Sequence, residues 1–247
     1  MSIINTLVLH RIVNSSENIL HFEDINEHTL DKILQRGKDG FFTIDEAFSN
    51  QNKNEGICLT FDDGFKSDID IVFPKLKHYA IHATFFIVKD YIDKDGYMSK
   101  KDIIELSNGG MQIGSHSISH PNFLKINDSE IINELISSKK YLEDLTSKEI
   151  STFSFPFGFE NQSLIDSVFE AGYKYCCTSR HGVVKNTSKV IPRNSINGSQ
   201  KISTVYKYIK PTLLTRSYWV IEDFLKVKLK LISPKFYTKI RSIVTKN

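Results

Sequence analysis

A chain of 247 residues with 40% hydrophobic, 11% aromatic and 25% charged residues, 12 Gly and 6 Pro has the size and composition of one large α/β domain, which excludes disordered, collagen-like and mucin-like chains. No apolar run reaches the ~20 residues of a membrane-spanning helix, residues 1–13 lack a basic leader and cleavage site, and three cysteines, two of them the neighbours Cys176 and Cys177, make no disulfide framework, so a cytoplasmic protein is expected. The net charge of +3 conceals two unlike parts: residues 201–247 carry eleven Lys and Arg against Glu222 and Asp223, a net +9, and the preceding 200 residues are net −6.

In chain order, short apolar runs predict strands at Thr6–Ile12, Ile57–Phe61, His82–Val88, Met111–Ser115, Thr152–Phe155, Tyr173–Thr178 and Val190–Ile196. Amphipathic stretches between them predict helices at Asn26–Gln35, Ser67–Tyr79, Ser99–Ser107, Ser129–Leu145 and Gln162–Ala171. Asp128 or Ser129 would cap the fourth helix, and Gly172 stands where the fifth must stop. Seven strands with intervening helices in about 200 residues fit an incomplete β/α barrel better than a doubly wound sheet. The expected division is a barrel over residues 1–200 and a basic helical extension over 201–247. In the extension, Tyr218–Ile232 and Pro234–Val244 read as amphipathic helices with Trp219, Phe224, Leu225, Leu229, Phe236, Tyr237 and Ile240 on their apolar side. Such helices either pack on the barrel or meet an anionic membrane through residues 216–247.

Three constellations carry chemistry, each after a predicted strand. In Thr60-Phe61-Asp62-Asp63-Gly64, two adjacent carboxylates repel one another, and a cation would relieve that repulsion. Both can face one site only where the chain leaves strand geometry, which Gly64 permits. In His116-Ser117-Ile118-Ser119-His120-Pro121, the i, i+4 spacing puts two imidazoles on one side of a helical turn, a spacing suited to zinc, with Ser117 or Ser119 bracing the loop. In Phe153-Ser154-Phe155-Pro156-Phe157-Gly158, Pro156 and Gly158 enforce a turn that can expose backbone N–H groups, which on its own is an ordinary turn.

The ordered trio resembles the first three motifs of the polysaccharide deacetylase (NodB-homology) family, carbohydrate esterase family four, over roughly residues 6–196. The resemblance implies a distorted (β/α)7 barrel and one divalent metal, usually zinc, held by Asp63, His116 and His120. It further implies Asp62 as catalytic base, the Phe157 N–H as oxyanion donor, and Phe155, Pro156 and Gly158 in the substrate-binding turn, where Phe155, Phe157 and Phe159 either form a sugar-stacking wall or pack in the core.

The sequence departs from the pattern in two places. Ser154 stands where many members carry the Arg that orients the base, and Arg193 or Arg180 would have to replace it. No His follows His181, so the late motif that supplies the general acid is absent. A circularly permuted subgroup, similar to enzymes acting on poly-N-acetylglucosamine, brings that His from the first strand, and Leu7-Val8-Leu9-His10-Arg11 matches its N-terminal motif. His10 is then the expected general acid. The implied activity is N-deacetylation of an N-acetylated sugar, with no nucleic-acid partner. A cytoplasmic location points to a nucleotide- or lipid-linked precursor of a capsule or lipopolysaccharide at the inner membrane face. The alternatives are hydrolysis of a formyl or non-sugar amide and glycan binding with weak catalysis.

Overall fold

The computed structural model describes residues 3–14, 21–37, 40–49 and 55–221. Its first half begins with β1 (Ile3–Leu9), β2 (Ile12–Val13), β3 (Ile25–Asn26), α1 (Glu27–Gly37), β4 (Phe41–Phe42), α2 (Ile44–Ser49) and β5 (Glu55–Phe61). It continues through α3 (Phe73–His78), β6 (Thr84–Ile87), α4 (Lys100–Asn108) and β7 (Gln112–Ser115). The second half comprises α5 (Asp128–Thr146), β8 (Thr152–Ser154), α6 (Gln162–Glu170), β9 (Tyr175–Cys177), β10 (Val183–Val184), β11 (Val190–Ile191), β12 (Asn194–Ser195) and α7 (Ile202–Ile209).

The strands form a nearly closed, barrel-shaped sheet in the order β10-β1-β5-β6-β7-β8-β9-β11, with β12 also on β1 and β4 also on β5. β1 and β5 are parallel from Ile3 opposite Glu55 to Leu9 opposite Phe61. Both are buried almost throughout, as strands covered on two faces are. The seam lies between β9 and β1. Val190 and Ile191 pair with Cys176 and Cys177, the chain steps across at Pro192 and Arg193, and Asn194 and Ser195 pair with Leu7 and Val8. The predicted strand Val190–Ile196 is therefore two short strands, because Pro192 has no N–H for a continuous ladder.

Helices pack their apolar faces on the outside of the sheet, where Leu59, Phe61, Phe85 and Phe153 join Leu30, Leu76, Leu106, Leu135 and Val168 in the main core. A smaller cluster of Ile4, Cys58, Phe86, Cys177 and Ile191, with Ile44, Ala47 and Phe48 of α2, packs beneath the site. Segment 41–49, absent from the predicted elements, supplies this plug.

The other differences have local causes. The first strand ends at Leu9, not Ile12; Ile12 and Val13 pair instead with Ile25 and Asn26 in a separate two-stranded ladder. The cap of α5 is Asn127, which accepts from the Glu130 N–H while the Glu130 carboxylate accepts from the Asn127 N–H. Gly172 does end the following helix, at φ +86°. The packed body also continues beyond residue 200. Asn5 donates to the carbonyls of Tyr208 and Ile209, and Val205, Tyr208, Ile209 and Trp219 are buried in the main core. Residues 213–221 are helical, so that helix starts before Tyr218. The rest of Tyr218–Ile232 and all of Pro234–Val244 lie outside the described residues. Among the described residues, no helix is long and apolar enough to cross a membrane.

Candidate active site

The C-terminal ends of the parallel strands converge on one end of the barrel, where β/α barrels build their sites. There, β1 delivers His10, β5 delivers Asp62 and Asp63, β7 delivers His116 and β8 delivers Ser154. The seam supplies Arg193. The chain leaves strand geometry at Asp63 (φ +77°) and Gly64 (φ +75°), so the two carboxylates turn to the same cluster. A Cβ on Gly64 would also lie 3.3 Å from Ile87 Cδ1.

The His116–His120 segment is a loop, not the helical turn that its spacing suggested. Ser117 (φ +73°) and His120 (φ +58°) both adopt left-handed backbone, a cost that surrounding contacts must hold in place. Glu134 of α5 supplies those contacts. Its Oε2 accepts from the N–H groups of Ile118 (2.7 Å) and Ser119 (3.0 Å), and its Oε1 from the Ser119 hydroxyl (2.7 Å). Ser117 Oγ accepts from the His120 N–H at 3.0 Å, so both serines brace the loop.

Asp63, His116 and His120 offer ligand atoms that all lie within 4.8 Å of one another. The two His Nε2 atoms lie 3.5 and 3.3 Å from Asp63 Oδ1, which is buried without a hydrogen bond. His116 Nδ1 donates to the Ser154 carbonyl at 2.8 Å, leaving Nε2 as the nitrogen with a lone pair toward the cluster. An orphaned carboxylate oxygen facing two imidazoles is a donor set that fits zinc or a similar divalent cation.

Asp62 sits beside this cluster, its Oδ2 3.9 Å from His116 Nε2. Arg193 grips it with two hydrogen bonds, Nη1 to Oδ1 at 2.6 Å and Nη2 to Oδ2 at 2.7 Å. Nη2 also donates to Ser154 Oγ (2.6 Å) and Nη1 to Thr60 Oγ1 (3.2 Å). Burial opposes ionisation of Asp62, but Arg193 and then His116 outweigh it and hold the carboxyl well below the usual carboxylate range. Burial pushes Asp63 the other way, against the pull of His10 and His116. Of the two arginines left open by the sequence, Arg193 is the one in the site. Arg180 is mostly exposed and pairs with Glu160. The small Ser154 leaves the space that the guanidinium fills from the seam.

His10 follows β1 directly, where the Asp62 N–H donates to the Leu9 carbonyl at 3.0 Å, and its charge favours ionisation of both Asp62 and Asp63. Its Nδ1 is buried without a hydrogen bond. In the third motif, Phe155 belongs to the core at 1% exposure, edge-on to Phe153 and Phe123, so the expected sugar-facing wall does not include it. Pro156 is buried beneath the turn, and Gly158 (φ +62°) is hemmed in by Ser179, 2.3 Å from where a Cβ would stand. Phe157, in left-handed backbone at φ +58°, is 45% exposed, its ring 4.5 Å from that of His120.

Sequence reasoning missed three features here. One is Glu134, whose role is invisible because a Glu on a helix ordinarily faces water. A second is the aromatic row Phe65, Tyr97 and Tyr91, with Phe65 stacked on Tyr97 at 5.1 Å, Tyr97 tilted against Tyr91 at 4.6 Å, and the Tyr91 ring 6.0 Å from that of His120. The third is Asp68, fully buried, whose two carboxylate oxygens lack hydrogen bonds. Burial, and then the charges of Asp63 and Asp62, push its carboxyl well above the usual carboxylate range.

Residues 49–176 match the family model described as polysaccharide deacetylase. The chain belongs to the polysaccharide deacetylase family. It is 33% identical over 121 residues to a peptidoglycan-N-acetylglucosamine deacetylase of Bacillus cereus, covering 47% of this chain and 42% of that one. It is 27% identical over 153 residues to a poly-beta-1,6-N-acetyl-D-glucosamine N-deacetylase of Staphylococcus aureus, covering 55% and 53%. The chain thus spans about half the length of these relatives. In fold, it resembles the Streptococcus pyogenes deacetylase PplD (TM-score 0.75, 22% identity, 85% of this chain and 99% of that one). It also resembles IcaB from Ammonifex degensii (TM-score 0.69, 18% identity, 85% and 98%).

Proposed function

We propose that this family member is a metal-dependent N-deacetylase acting on N-acetylated hexosamine in a surface glycan or its precursor. The observation that carries the reading is the ionised Asp62, held by Arg193, beside the Asp63, His116 and His120 cluster in one cleft. A divalent cation, most simply Zn2+, held by those three residues would supply Lewis acidity and lower the pKa of water towards ~7.

Asp62 takes the proton of the attacking water as its oxygen bonds to the acetamide carbon. Arg193 fixes both carboxylate oxygens and so the direction in which Asp62 accepts. The Phe157 N–H donates to the developing oxyanion. His10 protonates the sugar nitrogen as the C–N bond breaks, releasing acetate and a free amine. Phe157 with Phe159, and Tyr91 with Tyr97, give rings near His120 on which sugar faces can stack. More than one pair of rings near the cluster suits a substrate that extends beyond one sugar, as a polymer or a lipid- or nucleotide-linked oligosaccharide does.

The test is acetate release by zinc-supplemented protein from free, nucleotide-linked, lipid-linked and polymeric N-acetylhexosamine, with Asp62→Asn as control. Release from at least one substrate, abolished in the variant, is expected. No release from any of them, with metal bound, overturns the reading in favour of glycan binding alone.

A further inference from the structure

We propose that the helix over residues 213–221 is a docking surface for an anionic lipid bilayer. At 3.6 residues per turn, Thr215, Arg216 and Trp219 share one side of this helix. That side is anchored: Trp219 is 1% exposed, its ring stacked on His181 at 5.9 Å and edge-on to Tyr208 at 5.3 Å. The opposite side carries Leu213, Leu214, Tyr218, Val220 and Ile221, which are 79, 83, 60, 71 and 59% exposed. These five cover about half the helix circumference and are interrupted only by Ser217. Because Trp219 pins the other face, the helix cannot roll to bury them. Five large apolar side chains side by side on a surface are a contact site awaiting a partner, not random exposure.

Charge identifies the partner. Residues 201–247 are net +9, and Lys201, Lys207 and Lys210, which precede the helix in the chain, are exposed. An apolar face set in a strongly basic segment suits a bilayer with anionic headgroups, where Leu, Val and Ile enter the acyl boundary, Tyr218 sits at headgroup level and Lys meets phosphate. A second copy of the chain fits poorly, since pairing would bring two +9 segments together. The proposal does not rest on the deacetylase reading.

The test is flotation of the full chain with phosphatidylcholine vesicles, alone and with phosphatidylglycerol, beside Leu214→Glu/Ile221→Glu. Neither residue touches the core, so the variant should keep its melting temperature. Wild type should float with the anionic vesicles and not the neutral ones, bind less as salt rises, and lose at least tenfold in affinity in the double variant. Three outcomes overturn the proposal: no flotation with anionic vesicles; equal flotation of the double variant, which would mean that the basic tail binds without this face; or a dimer that the double substitution dissociates, which would make a second copy the occupant.

Discussion

Arg193 and Asp62 form a bidentate ion pair across the seam of the barrel, both side chains almost wholly withdrawn from water. Such pairs add little net stability when intact, but removing one partner strands a buried charge at a cost of about 3–5 kcal/mol. Arg193→Met should therefore lower the melting temperature sharply and reduce acetate release by ~100-fold or more. Adding Asp62→Asn to it should restore much of the stability and none of the activity. A double-mutant cycle on melting and turnover checks both. Arg193→Lys should not rescue turnover, because an ammonium cannot bond both carboxylate oxygens in one plane.

His116→Ala and Asp63→Asn should each remove the divalent cation from purified protein, whereas Asp62→Asn should retain it without turnover. Elemental analysis beside acetate release separates the ligands from the base.

For His10→Ala, the expected outcome is unchanged metal content and a fall in kcat of at least ~100-fold, the usual scale for loss of a general acid. Wild-type turnover in this variant would make His10 structural.

Glu134→Ala should loosen the His116–His120 loop without touching any reacting group. The loop then loses the three hydrogen bonds that Ile118 and Ser119, between the left-handed residues Ser117 and His120, donate to this carboxylate. Metal affinity should fall ~10–100-fold, as for other groups that orient ligands, while kcat at saturating metal changes far less. Competition with a fluorescent chelator reads the first and steady-state assay the second.

The loop after Asp63 is tied to α4 through Lys66 and Asp102, whose carboxylate also caps the helix at Ser99. Partial burial opposes ionisation of Asp102, but the Ser99 N–H and hydroxyl, with Lys66, more than offset it and hold the carboxyl below its usual range. A depressed folded-state pKa contributes stability above the unfolded value of ~3.9 that is lost as pH falls below it. Asp102→Ala should accordingly melt earlier than wild type at pH 7, with the gap narrowing as the pH falls from the unfolded value through the depressed folded one.

The barrel was legible because parallel strands covered on both faces read as short apolar runs, and α5 and α6 were legible from their periodicity and from Gly172. Asp62, Asp63, His116 and His120 were legible as a candidate cluster because two motifs, each weak alone, coincide at the C-terminal ends of predicted strands. Arg193 and His10 were reachable only by asking what replaced absent groups. Glu134 and the row Phe65, Tyr97, Tyr91 were not legible, because their roles depend on which helix and loop lie opposite. The break at Pro192 was visible as a residue, yet the change of partner strand that it permits is a property of the closed sheet. Trp219 could be read for membrane or for core; the fold buries it and turns its neighbours outward.

The seam has a consequence for how the molecule matures. The pairings of Leu7 with Asn194 and Val8 with Ser195 join residues nearly two hundred positions apart, and contacts so distant in sequence form late in folding. Arg193 is carried on that final stave. On a ribosome, every other named part of the cleft is synthesised before Arg193, so the ion pair with Asp62 waits for the last stave to be laid in place. A nascent chain released short of Arg193 would carry Asp62, Asp63, His116 and His120 and, on the proposed mechanism, a base with nothing to aim it.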